Sequence, residues 1–287
     1  MFNKRHIVRT IAATVSILAL SFTAACGSGQ STASNSTDSD DITQQTYKPG
    51  KLTIATGQPA YEPWVMNDKP ESGEGYEAAV AYAVADKLGF KKSDVVWTRT
   101  AFDTAIVPGA KDWDFNIQQF GITDERKKAV DFSSSYYNDS QSVVVKKDSK
   151  FANATKVSDL KDATVGVMVG TLAYDYAKAN IKDDIQTFND DAALAQALDA
   201  GQIDALVTST VECVYMVQSE QVKDAKVLGR LPDSEDKSGM GIVLPKDSKL
   251  TAAVTKAVDD LNADGTIKKL QDKWLAEYTT DLTELKK

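Results

Sequence analysis

The sequence predicts an α/β fold of two lobes, one inserted into the other, on three observations. From Lys51 onward, short apolar runs alternate with helix-length amphipathic segments, which is the pattern of α/β units around parallel-rich sheets. Val143-Val144-Val145 precedes Lys147-Asp148-Ser149-Lys150, and Ile242-Val243-Leu244 precedes Lys246-Asp247-Ser248-Lys249. The stretch between these echoes has the size of a small domain. A chain leaving one lobe through a strand and returning through a similar one produces that arrangement; coincidence between common exposed turns is the alternative. Finally, the roughly 240 residues that remain after the N-terminal region suit one or two such domains.

Individual elements follow from period and punctuation. Residues 52–55 read as a strand. Residues 76–88 read as a helix, with Val80, Val84 and Leu88 four apart and Gly89 as its stop. Short strands are predicted at 115–118, 164–167, 185–188 and 204–207. Helices are predicted at 171–179, 191–200, 248–262 and 266–278, the second ending at Gly201. Hinge strands are expected near 143–145 and 241–243. The organisation is then a leader at 1–25, a tether at 26–47, a first lobe of 48–144 with 241–287, and a second lobe of 145–240.

The N-terminus carries Lys4, Arg5 and Arg9, followed by sixteen uncharged residues from Thr10 to Ala25. Basic start, short apolar core and small-residue zone make an export signal. At ~1.5 Å per residue that stretch reaches about 24 Å, short of the ~30 Å hydrocarbon core, so a permanent transmembrane helix is the weaker reading. Between Gly27 and Thr46 only Ala33 and Ile42 are aliphatic, so this segment is expected to be a flexible tether.

Loss of the leader lowers the formal net charge from −8 to −11, because it removes three basic residues and no acid. That argues against nucleic acid as a partner and against direct docking of a basic patch on anionic lipid. His6, inside the leader, is the only histidine, and Cys26 and Cys213 are the only cysteines. A mature chain without histidine cannot build a Ser-His-Asp or Cys-His site or a Cys/His zinc site. No catalytic residue of those classes, metal site or cofactor is expected, carboxylate or lysine chemistry staying open, and Cys213 is expected to be buried and inert.

Several motifs together carry a resemblance. Thr123-Asp124-Glu125-Arg126, Val130-Asp131-Phe132-Ser133 and Tyr136-Tyr137 stand in order with Tyr61-Glu62-Pro63-Trp64 before them. Val165-Gly166-Val167-Met168-Val169-Gly170-Thr171 and Gly201-Gln202-Ile203-Asp204-Ala205 come after. This set, spanning Lys51 to Trp274, resembles the family 3 extracellular solute-binding proteins, receptors of ABC importers for polar amino acids. Thr23-Ala24-Ala25-Cys26 resembles a bacterial lipobox, with Thr23 where an aliphatic residue is usual. The resemblance implies a periplasmic-binding-protein-like fold with a mixed sheet in each lobe and a two-strand hinge. It also implies a diacylated Cys26 holding an exported monomer to the outer face of the cell membrane, beside a membrane permease.

It further implies a ligand site. Arg126, three residues after the candidate cap Thr123, would grip a carboxylate through two parallel charge-assisted hydrogen bonds; surface pairing with Asp124 or Glu125 is the alternative. Gly170-Thr171 would add the free N–H groups of a helix start, with Leu172 where a hydroxyl residue is common. Tyr61, Trp64 and Phe102 would supply aromatic faces, core packing being the competing reading for each. Gln118 and Gln119 follow a strand at its cleft-facing end and suit a neutral polar group. Gly121 replaces a hydroxyl residue. Gln58 and Ser209 stand where the family places acids that hold the ligand's ammonium. Glu212, one helical turn past Ser209, is either a substitute acid or a solvated helix residue, the second being preferred.

The leading function is thus capture of a small carboxylate, an amino acid or an analogue, by hinge closure without catalysis. A sensing receptor subunit uses the same physics. A cleft enzyme, dehydratase-like or a lytic transglycosylase, would need a cleft carboxylic acid with a raised pKa, and no matched position apart from Glu212 offers one.

Overall fold

The computed structural model describes residues 41–279 and 282–287. The leader, the lipobox cysteine and most of the expected tether lie outside these residues. Two five-stranded mixed sheets organise the chain. The first contains β1 (Leu52–Thr56), β2 (Val95–Arg99), β3 (Phe115–Asn116), β4 (Val130–Tyr137) and β10 (Met240–Pro245), in the order β2-β1-β3-β10-β4. The second contains β5 (Gln141–Lys146), β6 (Val165–Met168), β7 (Gln186–Phe188), β8 (Ala205–Ser209) and β9 (Ala225–Arg230), in the order β7-β6-β8-β5-β9.

Each sheet has the same plan. Three parallel strands are followed by one antiparallel strand, β10 in the first sheet and β5 in the second, and then by an edge strand. The sequence echo falls on those two strands. The Val-Val-Val of β5 and the Ile-Val-Leu of β10 occupy the same fourth place, flanked on both sides, and both runs are fully buried. Residues in that position need apolar side chains on both faces, which is why the two strands read alike.

Helices cover the sheets. α1 (Tyr76–Lys87), α6 (Thr251–Ala263) and α7 (Thr266–Trp274) pack on the first sheet, burying Val80, Val84, Val254, Val258 and Leu261 with Leu52, Ile54 and Ile242. The short α2 (Phe102–Ala105) follows β2. In the second lobe, α3 (Leu172–Asn180) covers the face that carries Val143, Val145, Val165 and Val207. α4 (Asp191–Asp199) and α5 (Thr210–Gln218) cover the opposite face around Val144 and Leu206.

Three expectations about boundaries differ from the structure. β5 lies wholly in the second sheet, so the outward crossing is residues 138–140, not a strand at 143–145, and the return crossing is 231–239. The reason is register: Val143, Val144 and Val145 pair with β8 on one side and β9 on the other. The C-terminal residues 282–287, expected in the first lobe, join the second. Leu285 is 4 % exposed in its core, Lys286 bridges to Lys156, and Leu285 N–H donates to the Arg230 carbonyl at 2.9 Å. The end of the expected tether is docked as well. Residues Ile42–Gln44 form a 3₁₀ turn, Ile42 touches the first core, and the Asp114 carboxylate accepts from Tyr47 N–H at 2.6 Å and Thr53 N–H at 2.7 Å.

Because Leu285 belongs to the second core, Leu285→Ala is expected to destabilise the protein by about 2–4 kcal/mol in urea unfolding. A change below about 0.5 kcal/mol would show that the terminal segment is not part of that core.

Candidate functional site

The cleft lies where the two lobes meet over the crossings. Both crossings line it: Asp139 on one and Asp236 on the other, tied by Asp236 N–H donating to the Asp139 carbonyl at 2.9 Å. Two further bonds hold the crossings together there, Leu231 N–H to the Gln141 carbonyl at 2.8 Å and Gln141 N–H to Ser234 Oγ at 2.9 Å.

Arg126 opens a 3₁₀ turn, Arg126–Lys128, and its N–H donates to Thr123 Oγ1 at 3.1 Å. Its guanidinium donates to the Gly121 carbonyl at 2.7 Å and, across the cleft, to the Gly170 carbonyl at 2.9 Å. Neither neighbouring acid pairs with it, since Asp124 and Glu125 are taken by Lys127 and Lys128. Burial presses the guanidinium's pKa down while Asp175 and Asp236 press it up. Two of five N–H groups are used, so the fork can still take a carboxylate. Phe102 lies 5.6 Å from the guanidinium carbon and stacks on Phe120 with centroids 4.5 Å apart.

On the facing lobe, Thr171 caps α3, donating to the Met168 carbonyl at 2.8 Å and accepting from Tyr174 N–H at 3.2 Å. The first-turn N–H groups of α3 lack helical partners and sit beside Leu172 and Ala173 in the cleft lining. Gly170 holds a left-handed φ of 74° and meets the site through its carbonyl rather than as a lining residue. Gly121 and Leu172 are complementary: a Cβ at Gly121 would lie 2.5 Å from Leu172 Cδ1 and 2.8 Å from Asp236 Oδ2. The missing hydroxyl on one lobe makes room for the aliphatic chain of the other.

Of the remaining predicted residues, Tyr61, Gln118, Gln119 and Ser209 line the cleft. Tyr61 reaches the second lobe, its hydroxyl accepting from Ala192 N–H at 3.4 Å. Gln119 is committed elsewhere: its backbone and side-chain N–H groups both donate to Glu77, and Tyr136 donates a third bond to the same carboxyl. Ser209 caps α5, its Oγ accepting from Glu212 N–H at 3.3 Å. Two residues are displaced. Trp64 is fully buried in the first core, edge-on to Tyr137 at 5.5 Å, so core packing wins there. Gln58 is exposed and outside the lining.

The largest correction concerns acids. Four carboxyls line the cleft: Asp139, Asp191, Glu212 and Asp236. Glu212 is 6 % exposed, not a solvated helix residue. Burial raises the Asp139 carboxyl to about 6, despite bonds from Ser140, Val211, Ser209 and Thr210. Burial raises both Asp191 and Glu212, and the charge of Asp191 raises Glu212 further. Glu77, behind Gln119, is raised to about 7 by burial against three donated bonds. Asp191 and Asp139 carried no motif signal; only their spatial convergence reveals them. Cys213 is fully buried, its thiol pushed up by burial. Among the described residues no His, Cys, Asp or Glu group is arranged to hold a metal ion, and no helix is long and apolar enough to cross a membrane.

Residues 52–277 match the model of the bacterial extracellular solute-binding proteins, family 3. The chain belongs to that family. An L-arginine-binding protein of Pseudomonas aeruginosa is 29% identical over 246 residues, covering 80% of this chain and 88% of that one. The structure of an ancestral arginine-binding protein bound to arginine matches with a TM-score of 0.67 and 30% identity, over 78% of this chain and 98% of that one. An ancestral amino acid-binding protein, AncCDT-1, described as a precursor of cyclohexadienyl dehydratase, matches with a TM-score of 0.64 and 30% identity over 79% and 95%. The two-lobed α/β fold and the solute-binding role of this chain are those of its relatives.

The buried carboxyls set a pH dependence for the unliganded solute-binding protein. Glu77 and Asp139 keep protons in the folded state that the unfolded chain releases, so folding binds more protons between about pH 4 and pH 7. The contribution of these two groups is therefore full below about pH 4 and is lost as pH rises from there to about 7. Exposed carboxyls held low by lysines, such as Asp94 by Lys51, act below that window. Thermal melts from pH 4.5 to 8 are expected to show this fall, and Glu77→Gln is expected to flatten it; an unchanged slope in that variant would contradict the assignment.

Proposed function

We propose that this solute-binding protein is the lipid-anchored receptor of an ABC importer, taking an amino acid or related small carboxylate by closure of its lobes. The observation that carries this reading is the Arg126 guanidinium donating across the cleft to the Gly170 carbonyl, beside the open start of α3. A ligand carboxylate that met the remaining guanidinium N–H groups and the α3 amides would tie one lobe to the other. Closure would present a joint surface of both lobes to a permease, while a diacylated Cys26 would keep the protein close to it.

Arg126→Ala is expected to weaken carboxylate ligands by about 1.5–3 kcal/mol, roughly 10- to 100-fold, and to abolish the thermal shift seen with the wild type. The panel is L-arginine, L-glutamine, L-histidine and L-cystine, and an undiminished shift in the variant would sink the carboxylate assignment. Cys26→Ser is expected to move the protein from the membrane fraction to the soluble exported fraction; retention in the membrane would refute the anchor.

A second reading has one observation in its favour, carboxyls inside the cleft whose pKa values burial raises, which a general acid also requires. Recovery of every bound ligand chemically unchanged after prolonged incubation is the outcome expected of a receptor.

A further inference from the structure

Asp191 and Glu212 come from different helices and meet at one point. Asp191 begins α4, and Glu212 lies in the first turn of α5. Thr208 Oγ1 lies between them, 3.0 Å from Glu212 Oε2 and 3.4 Å from Asp191 Oδ1. A hydroxyl has one hydrogen and can donate to only one of the two carboxyls. The pair also borders a small space between the lobes, walled by Tyr61, Glu62 and Tyr215.

The groups around the pair are acidic or neutral. Asp190 stands beside it as the N-cap of α4, Asp139 on the crossing, and Glu77 behind it in the first lobe. Glu62 approaches from the first lobe but accepts from Tyr215 OH at 3.1 Å, and Tyr61 and Cys213 are neutral. Among the described residues, none of Asp139, Asp191 and Glu212 forms an ion pair. Arg126 couples instead to Asp175 and Asp236. A buried carboxylate without a countercharge is costly, which favours a proton or a ligand's cation beside this pair. An independent acceptor points the same way. Gln118, 8 % exposed and lining the same cleft, leaves its Oε1 without a partner.

We propose that Asp191 and Glu212 share a proton in the empty cleft and form the subsite for the ligand's cationic group, which takes the proton's place on binding. This rests on the receptor reading above and supplies the other end of the ligand held by Arg126. The pair does what Gln58 and Ser209 cannot. Both acids stand at helix N-termini, where the helix dipole lowers the cost of the ionised form once a cation arrives. The released proton goes to solvent, so capture weakens on acidification.

The test is calorimetric titration of the full protein with L-arginine, L-glutamine and L-cystine at pH 5, 6 and 7. Each pH 6 titration is run in two buffers of different ionisation heat. The expected wild-type result is an affinity at least tenfold higher at pH 7 than at pH 5, with a proton released per ligand at pH 6. Glu212→Gln, which keeps a donor facing Asp191, and Asp191→Asn are expected to weaken binding at pH 7 at least tenfold and to lose the pH dependence. The same variants are expected to raise the unliganded melting temperature at pH 8, because each removes a buried charge, so loss of binding cannot be mistaken for unfolding. Arg126→Ala should weaken binding at every pH and leave the slope in place. Wild-type affinities within twofold between pH 5 and 7, or a full slope retained in Glu212→Gln, would overturn the shared-proton subsite alone. Absence of binding by all three amino acids at pH 7 would overturn the receptor reading itself.

Discussion

The constraint on which the rest depends is that the chain passes between its two sheets at residues 138–140 and again at 231–239. Backbone bonds join the two passages, from Asp236 N–H to the Asp139 carbonyl and from Leu231 N–H to the Gln141 carbonyl. The two crossings are short and lie side by side outside both sheets, so bending there would break no ladder bond of either sheet. The cleft must open above them. Asp139 and Asp236 are cleft residues because they lie on the crossings.

Electrostatics gives the cleft a direction. Arg126 and the start of α3 make one end electropositive, while Asp139, Asp191 and Glu212 crowd the other without a cation from the protein. A zwitterion of matching length satisfies both ends at once. Burial of these carboxyls raises their pKa values, and the same cause sets the pH dependence of stability. Glu77 belongs to this set at one remove. It holds the backbone of Gln119 in a left-handed turn, φ 51°, and so shapes the floor beside Gln118.

Departures from the family pattern compensate one another in space. Gly121 and Leu172 are far apart in the chain, yet the bare backbone of one admits the side chain of the other. Gln58 is turned to solvent and Ser209 is spent on capping α5, but that cap sets the turn that carries Glu212 inward. Read position by position, each change is a lost contact. Across the cleft they amount to an exchange of one set of contacts for another.

The local signals were sufficient for whatever local physics decides. The strand at β1 and the helix at α1 follow from period and stop residues, all within a few residues of chain. The echo of β5 and β10 disclosed the inserted lobe, because equal burial selects equal side chains. The ordered motifs singled out Arg126 and the α3 start, which face each other across the cleft. What tertiary structure alone decided is burial and convergence. Trp64 is aromatic in either environment, and only packing against Tyr137 assigned it to the core. Asp191 reads as an ordinary first-turn acid and Glu212 as a surface one. They become a site because α4 and α5 aim their N-termini at one point beneath Tyr61, a meeting of segments about twenty residues apart that no local pattern encodes.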